Sequence, residues 1–407
     1  MTQNSARQAQ LIELGHRSYS PNYNPRDVVF ARGSGSLLWD VAGKQYLDFG
    51  SGIGVNCLGH RNEQLLEALR SQTNRLWHTS NVYFSEPPVL LAAQLVEKTF
   101  AERVFFSNSG AEANEAAIKV ARKYASANFT DAKHTIVTFQ GSFHGRTIAT
   151  VTATAQPKYH QGFAPLPQGF KYSEFDDIDA LRELMNNSVC AVLLEPIQGE
   201  GGVRPFSIDF LQQVRKLCDQ HDALLIFDEV QCGTGRSGKL FAYQWAEDVV
   251  PDIVTIAKAF GGGLPIGATL LGEKVADTLN LGSHGSTFGG NPICCEVARV
   301  VFDKVTNDRF LAQITAKGQL LRNCLREIQS EYGIFEDIRG KGLMIGAQIT
   351  ADHGEIAGEI LRASMQKGLL VLQSGNSVIR LLPPYTVSQE EIKQAKEILA
   401  DVASAYR

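Results

Sequence analysis

Residues 224–238 read LLIFDEVQCGTGRSG, and residues 251–268 read PDIVTIAKAFGGGLPIGA. Two apolar runs of strand length end in single ionisable side chains, Asp228 in the first and Lys258 in the second. A carboxylate or ammonium buried without a partner costs a large part of a domain's net stability, so packing alone does not place them there. In a parallel α/β sheet, the carboxyl ends of the strands host the ligand site. The pair therefore reads as chemistry: an amine that attacks carbonyls and an anion that holds a cationic ring.

The same pattern extends to both sides. Further strand candidates are RVFFSN (103–108), HTIVTF (134–139), CAVLLEP (190–196) and GATLLG (267–272), with helical stretches at 111–125 and 208–221 between some of them. Continuous apolar strands alternating with amphipathic helices predict a mainly parallel sheet covered on both faces. Residues 1–60 carry turn signals and the short strand candidates SLLWDVAG (36–43) and KQYLDF (44–49), and an amphipathic helix begins at 62–69. Beyond about residue 300 the pattern changes. Helices at 310–330 and 390–405 flank short strands near IGAQI (345–349), LLVLQ (369–373) and VIRLL (378–382), which predicts a smaller α+β lobe. A chain of 407 residues suits this division in two.

Bulk properties narrow the function. A net charge of −4 gives no electrostatic footprint for nucleic acid or an anionic membrane surface. No apolar run spans a bilayer, and the N-terminal stretch MTQNSARQAQLIELGHRS lacks the apolar core of a signal peptide. The seven cysteines form no CxxC motif and read as buried thiols in a reducing cytosol. No histidine pair has zinc-ligand spacing, so no metal is expected.

Each motif taken singly has two readings. Lysine has a pKa of about 10.4 in water, so Lys258 needs burial or a nearby cation to be a nucleophile; otherwise it pairs with a surface acid. Asp228 is a ring-binding anion or the cap of a turn. It also resembles a nucleotide-hydrolase metal ligand, but the sequence holds no GxxxxGK[ST] loop. Ser107-Asn108-Ser109-Gly110-Ala111 opens a helix, whose N-terminus suits a phosphate, unless Ser109 is simply the helix cap. In Phe143-His144-Gly145-Arg146, a ring that stacks on a planar ligand and a guanidinium that grips a carboxylate compete with a core Phe beside a surface Arg. Glu200 in EPIQGEGG is a binding carboxylate or a solvated loop acid. HGSTFGGN (284–291) holds a phosphate or forms a turn. Arg380, inside the apolar run VIRLLPP, needs a partner, either a substrate carboxylate or a structural ion pair.

The order and spacing of these motifs decide between the readings. SNSGAEANEAAIKVAR, FHGRT, EPIQGEGG, FDEVQCGTGRSG, AKAFGGGLPIGA and HGSTFGGNP, spread over nearly the whole chain, resemble the class III aminotransferases, pyridoxal-phosphate enzymes of fold type I. Within that class, the chain is most similar to the acetylornithine and succinylornithine branch. The resemblance implies a mainly parallel, seven-stranded type of sheet in a large α/β domain at 61–300. It implies a small α+β domain from both termini, residues 1–60 and 301–407.

The resemblance also implies roles. Lys258 would hold the cofactor's aldehyde carbon and move the proton, and Asp228 would pair with its ring nitrogen. Phe143 would stack on the ring, Gln231 would lie near its phenolic oxygen, and Gly110 and Ala111 would donate N–H groups to the phosphate. Ser109 and Glu195 join the cofactor site, and Thr287 would reach the phosphate of a neighbouring subunit, making the enzyme a homodimer. Arg146 would bind the α-carboxylate of an acylornithine, and Arg380 that of glutamate or 2-oxoglutarate, with Glu200 masking Arg380 in the other half-reaction. Tyr23, Ile53 and Ser286 complete the substrate pocket. Ile53 stands where ornithine δ-aminotransferases carry a tyrosine for a free α-amino group, so an acylated amine suits it better. The expected reaction moves the δ-amino group of N2-acetylornithine to 2-oxoglutarate. Succinylornithine, succinyl-diaminopimelate and 4-aminobutyrate are alternative donors, and a non-catalytic cofactor-binding regulator is the alternative of another kind. The chain departs from the pattern of the family it resembles at His60-Arg61-Asn62-Glu63 and at Arg380-Leu381-Leu382-Pro383-Pro384-Tyr385.

Overall fold

The computed structural model describes residues 3–354 and 356–406. The chain opens with helix α1 (Gln3–Ser18), which buries no residue. Three short antiparallel strands follow, β1 (Phe30–Ser34), β2 (Leu37–Asp40) and β3 (Gln45–Asp48). The turn and strand reading of residues 1–60 did not include α1. A helix that buries no residue has only a weak apolar stripe to reveal it.

Helix α2 (Glu63–Thr73) starts within the His60-Arg61-Asn62-Glu63 stretch. Asn62 caps it, its Oδ1 accepting the Gln64 and Leu65 N–H groups. His60 Nε2 meets Asp48 Oδ2 at 2.7 Å, tying that loop to the end of β3.

The central sheet is built from β4 (Arg103–Ser107), β5 (Thr135–Phe139), β6 (Phe170–Ser173), β7 (Val189–Leu194), β8 (Leu224–Asp228), β9 (Ile253–Ile256) and β10 (Gly267–Leu271). Their spatial order is β4-β10-β9-β8-β7-β5-β6. Every pairing is parallel except those of β10, which runs antiparallel to β4 and β9. Strands β5, β7, β8, β9 and β10 are buried at every residue, as a sheet covered on both faces requires. Strand β6, FKYS, was not among the sequence candidates. It lies at the sheet edge with an exposed Lys171, so its sequence lacks a continuous apolar run.

Helix α3 (Gly110–Asn128) packs on this sheet through small side chains. Ala113, Ala116, Ala117, Val120 and Ala121 are buried, which brings its backbone close to the strands. Helix α4 (Ile208–Gln220) is capped by Ser207 and buries Phe210, Leu211, Val214 and Leu217.

Helices α5 (Pro292–Val305) and α6 (Asp308–Tyr332) lead into a second sheet of β11 (Phe335–Lys341), β12 (Met344–Ile349), β14 (Leu372–Ser374) and β15 (Val378–Leu381), in the order β11-β12-β15-β14. The two-residue strand β13 (Leu369–Leu370) instead joins β3, so the start and the end of the chain share one sheet. Helix α7 (Gln389–Ala403) closes the chain with a capping box between Ser388 and Glu391.

Candidate active site

The carboxyl ends of β5, β7, β8 and β9 and the N-terminus of α3 converge on one cavity of about 450 Å³. Its lining includes Gly110, Phe143, Arg146, Asp228, Gln231 and Lys258, together with Ser109, Ala111, His144 and Glu195. Residues separated by up to about 150 positions in sequence thus meet because parallel strands deliver their ends to one edge.

Asp228 is the last residue of β8 and is 2 % exposed. Its Oδ2 accepts Asn114 Nδ2 at 2.7 Å and lies 2.8 Å from His144 Nδ1, while its Oδ1 accepts the Val230 N–H at 3.0 Å. Three donors on one buried carboxyl fit an ionised acid, which accepts only. Against a carboxylate, His144 donates from Nδ1, and its buried Nε2 has no partner. Asn114 is itself fixed, its Oδ1 accepting the Thr255 hydroxyl at 2.7 Å and its amide also donating to His144 O.

Lys258 follows the end of β9 after one intervening residue, Ala257, and opens a short 3-10 turn at Lys258–Gly261. Its φ of 46° is in the left-handed region, which strains a side-chain-bearing residue. The residue is half-buried and lines the cavity. Burial brings its pKa below the ordinary lysine value. Arg380 adds to that lowering, against the opposing charges of Glu200, Asp228 and Glu195. A lowered pKa raises the share of neutral, nucleophilic amine at neutral pH.

The α3 N-terminus supplies backbone donors. Ser109 Oγ accepts the Glu112 N–H at 3.2 Å and so caps the helix. The N–H groups of the first helical residues, Gly110 and Ala111, have no intrahelical acceptor and line the cavity. A Cβ on Gly110 would lie 2.6 Å from Val230 Cγ1, so only glycine lets the helix start so near the β8 loop.

Glu195 follows β7 and is buried, but both its oxygens are spent on backbone. Oε1 accepts the Phe143 N–H and Oε2 the Gly199 N–H, each at 2.9 Å. It therefore staples the loop carrying Phe143 to the loop carrying Glu200. Burial, then the charge of Asp228, pushes its pKa up. The Arg146 guanidinium lies 4.1 Å from the Tyr159 ring centroid and 5.4 Å from that of Phe143, at the exposed rim.

Arg380, in β15, is 3 % exposed. Its Nη1 donates to Glu200 Oε1 at 2.6 Å, to Gln231 Oε1 at 2.9 Å and to Gly199 O at 3.0 Å. Its Nη2 reaches only Gln373 O, at 3.4 Å, and its Nε has no partner. Burial alone would raise the Glu200 carboxyl, but the charge and hydrogen bond of Arg380 bring it below its ordinary value. One guanidinium thus holds a protein carboxylate while keeping donors in reserve.

Six candidates lie outside this cavity's lining within the single chain, Glu200 and Arg380 just described and four more. Tyr23 is 79 % exposed, and Ile53, at φ 63°, is 45 % exposed. Ser286 accepts Asn108 Nδ2 at 3.1 Å, and with Thr287 it lines a second recess beside Glu112, Lys119 and His284. The sequence reading missed Asn114 and Thr255, and noted His144 without a role. The one signal was Asn114 itself, a polar residue on the alanine-rich face of α3.

Among the described residues no group of three metal-ligating side chains occurs. What the cavity offers is a buried acid, a desolvated amine, unpaired helix N–H groups and an aromatic ring. Pyridoxal phosphate fits this donor set, with one protein group for each of its ring nitrogen, aldehyde, phosphate and ring face.

A family model described as aminotransferase class-III matches residues 18–403. The chain is 52 % identical over 398 residues to the acetylornithine aminotransferase of Xanthomonas campestris pv. campestris, covering 97 % of each chain. It is 48 % identical over 386 residues to the succinylornithine transaminase of Yersinia pseudotuberculosis, covering 93 % of each. The crystal structure of N-acetylornithine aminotransferase from Stenotrophomonas maltophilia superposes with a TM-score of 0.85 at 44 % identity, covering 97 % of this chain and 99 % of that one. An ornithine aminotransferase structure from Toxoplasma gondii, described as having partial occupancy of pyridoxal phosphate at its active site, superposes with a TM-score of 0.93 at 30 % identity, covering 98 % and 94 %.

Proposed function

This chain belongs to the class-III aminotransferases, pyridoxal-phosphate enzymes, and we propose that it moves the δ-amino group of N2-acetyl-L-ornithine to 2-oxoglutarate. The products are N-acetylglutamate 5-semialdehyde and L-glutamate. The observation that carries the reading is the Arg380–Glu200 contact at 2.6 Å, near enough to Lys258 for both charges to act on its amine. Two substrates that differ by a carboxylate must use one pocket in turn, and a cation that a protein acid can cover serves both.

When bound, pyridoxal phosphate supplies an aldehyde that carries the amino group and a ring that withdraws electrons. On this reading Ser109, Gly110 and Ala111 hold its phosphate, Phe143 covers its ring, Asp228 faces its ring nitrogen and Gln231 its phenolic oxygen. Lys258 Nζ would take the proton from the carbon that bears the donor's amino group and return it two bonds away, on the far side of the nitrogen. Its lowered pKa raises the share of neutral amine that can accept the proton. Asp228 keeps its charge through the hydrogen bonds of Asn114, His144 and Val230. Glu195 acts at one remove, setting Phe143 and Gly199. Arg146 takes the α-carboxylate of the acylornithine and the distal carboxylate of glutamate, and Arg380 takes the α-carboxylate of glutamate once Glu200 moves off.

Steady-state assay of acetylornithine, succinylornithine, free ornithine, succinyl-diaminopimelate and 4-aminobutyrate tests the assignment. Acetylornithine is expected to give the highest kcat/KM, and succinylornithine to follow within about tenfold, because acyl selectivity rests on small differences in contact. A preference for free ornithine or 4-aminobutyrate by orders of magnitude would reject it. Arg380→Ala is expected to slow the half-reaction with 2-oxoglutarate by about 10²-fold, the loss of a buried charged contact, and the acylornithine half-reaction much less. Equal losses in single-turnover measurements would refute the alternation.

The active form is proposed to be a homodimer in which Thr287 completes the neighbour's phosphate site. Trp77, Val82, Tyr83, Phe84 and Phe288 are all more than half exposed. Asn81 and Asn291 tie the segment around them to the 286–291 loop, through Ser286 O, Gly289 O and Trp77 O. An apolar surface of that kind marks an interface, and a monomeric sedimentation mass at assay concentration would contradict it. The division into a large domain at 61–300 and a small one from 1–60 and 301–407 is proposed on the pairing of β13 with β3. No helix among the described residues is long and apolar enough to cross a membrane, and the seven cysteines are unpaired. Both support a cytosolic place for the enzyme.

A further inference from the structure

The main chain around Glu200 is held on both sides. Ser374, the last residue of β14, is 1 % exposed. Its hydroxyl donates to Gly199 O at 2.6 Å and accepts the Gly202 N–H at 2.8 Å. The Gly375 N–H donates to Glu200 O at 3.0 Å, and Arg339 Nε donates to Gly202 O at 2.9 Å. The loop is also close-packed. A Cβ on Gly199 would lie 2.5 Å from the Gln231 amide, and one on Gly201 would lie 2.6 Å from Gly141 O. The Glu200 side chain, by contrast, is held only by Arg380 and by a 3.4 Å contact from Gln231 Nε2. The Gly199 carbonyl that accepts the Ser374 hydroxyl also accepts Arg380 Nη1. One hydroxyl therefore fixes the backbone beside Glu200 and an acceptor of Arg380 together.

We propose that Ser374 is a positioning residue for substrate alternation, fixing the 199–202 backbone so that Glu200 covers and uncovers Arg380 by side-chain rotation alone. The proposal rests on the reading of Arg380 and Glu200 as the dicarboxylate switch. With the hydroxyl removed, Glu200 rests on Arg380 for less of the time. A dicarboxylate then finds Arg380 open more often, and the acylornithine meets an uncovered cation.

The test uses the holoenzyme, with single-turnover kcat/KM for N-acetylornithine and for 2-oxoglutarate, and the Kd of glutarate as an unreactive dicarboxylate. Ser374→Ala is expected to lower the donor-to-acceptor ratio of kcat/KM by about tenfold, the scale of one lost buried hydrogen-bonding group, and to tighten glutarate binding. Ser374→Cys, close in volume and poor at both bonds, shifts the ratio the same way, which keeps the test open if the alanine variant folds badly. Ser374→Thr keeps the hydroxyl and restores the ratio. In a Glu200→Ala background Ser374→Ala adds nothing, because the residue acts through Glu200. Equal loss in both half-reactions, or a full additive shift in that background, overturns the proposal. If Glu200→Ala alone leaves the ratio unchanged, the switch reading itself fails and this proposal falls with it. If Glu200→Ala shifts the ratio and Ser374→Ala does not, only the role of Ser374 is refuted.

Discussion

Lys258→Ala is expected to lower kcat by on the order of 10⁴-fold or more, since it removes both the covalent anchor and the general acid–base. The purified variant should also lose the visible absorption that a bound carbonyl cofactor gives when linked to an amine. The physical basis is the environment of Nζ. Burial and Arg380 favour the neutral amine, whereas an exposed lysine would remain charged. Arginine at this position is not expected to rescue turnover, because a guanidinium stays protonated at any accessible pH. The fold should survive, since alanine leaves no unpaired charge in the cavity. A Lys258→Ala protein that keeps kcat within tenfold of the parent would remove the residue from the chemistry.

Asp228→Asn is the second large effect. The variant keeps the size of the side chain and loses its charge. Breaking a buried charge pair costs about 3–5 kcal/mol, which converts to a fall in kcat of about 10²–10⁴-fold if the loss is felt in the transition state. The neighbours make the change worse than the loss of one charge. Asn114 Nδ2 and His144 Nδ1 both point at Oδ2, so an amide nitrogen there would face two donors. An amide turned to present its oxygen to them would set its nitrogen against the Val230 N–H. Weaker cofactor retention on dialysis should accompany the loss of rate. A variant with kcat within about threefold of the parent would show that no charge is needed opposite the ring nitrogen.

Much of the fold was legible because its central strands are buried on both faces. Runs such as VCAVLL and LLIFD leave no alternative to an interior strand. Asp228 and Lys258 were legible for the converse reason, as ionisable side chains at the ends of such runs. Strand β6 was not legible because an edge strand needs no continuous apolar sequence, and α1 was not because it buries no residue.

Within the site, the legible residues were those whose type is unusual for their local pattern. The supporting groups were hidden because their partners are distant in sequence. Asn114 meets Asp228 across 114 positions, and Ser374 meets Gly199 across 175. Glu195 was read as a cofactor residue, but both its oxygens are taken by the N–H groups of Phe143 and Gly199, a commitment that only the folded chain reveals. Arg380 needed a partner on sequence grounds alone, and Glu200, 180 positions earlier, meets it.

The central claim is a ping-pong amino transfer from an acylated ornithine, on Lys258 and Asp228, to 2-oxoglutarate. Its most direct test is the visible spectrum of the purified holoenzyme mixed with N-acetylornithine alone and then with 2-oxoglutarate. The account predicts that the donor alone bleaches the long-wavelength band in one stoichiometric turnover, and that 2-oxoglutarate restores it with release of glutamate. A band unchanged by acetylornithine, or bleached by free ornithine orders of magnitude faster, would contradict it.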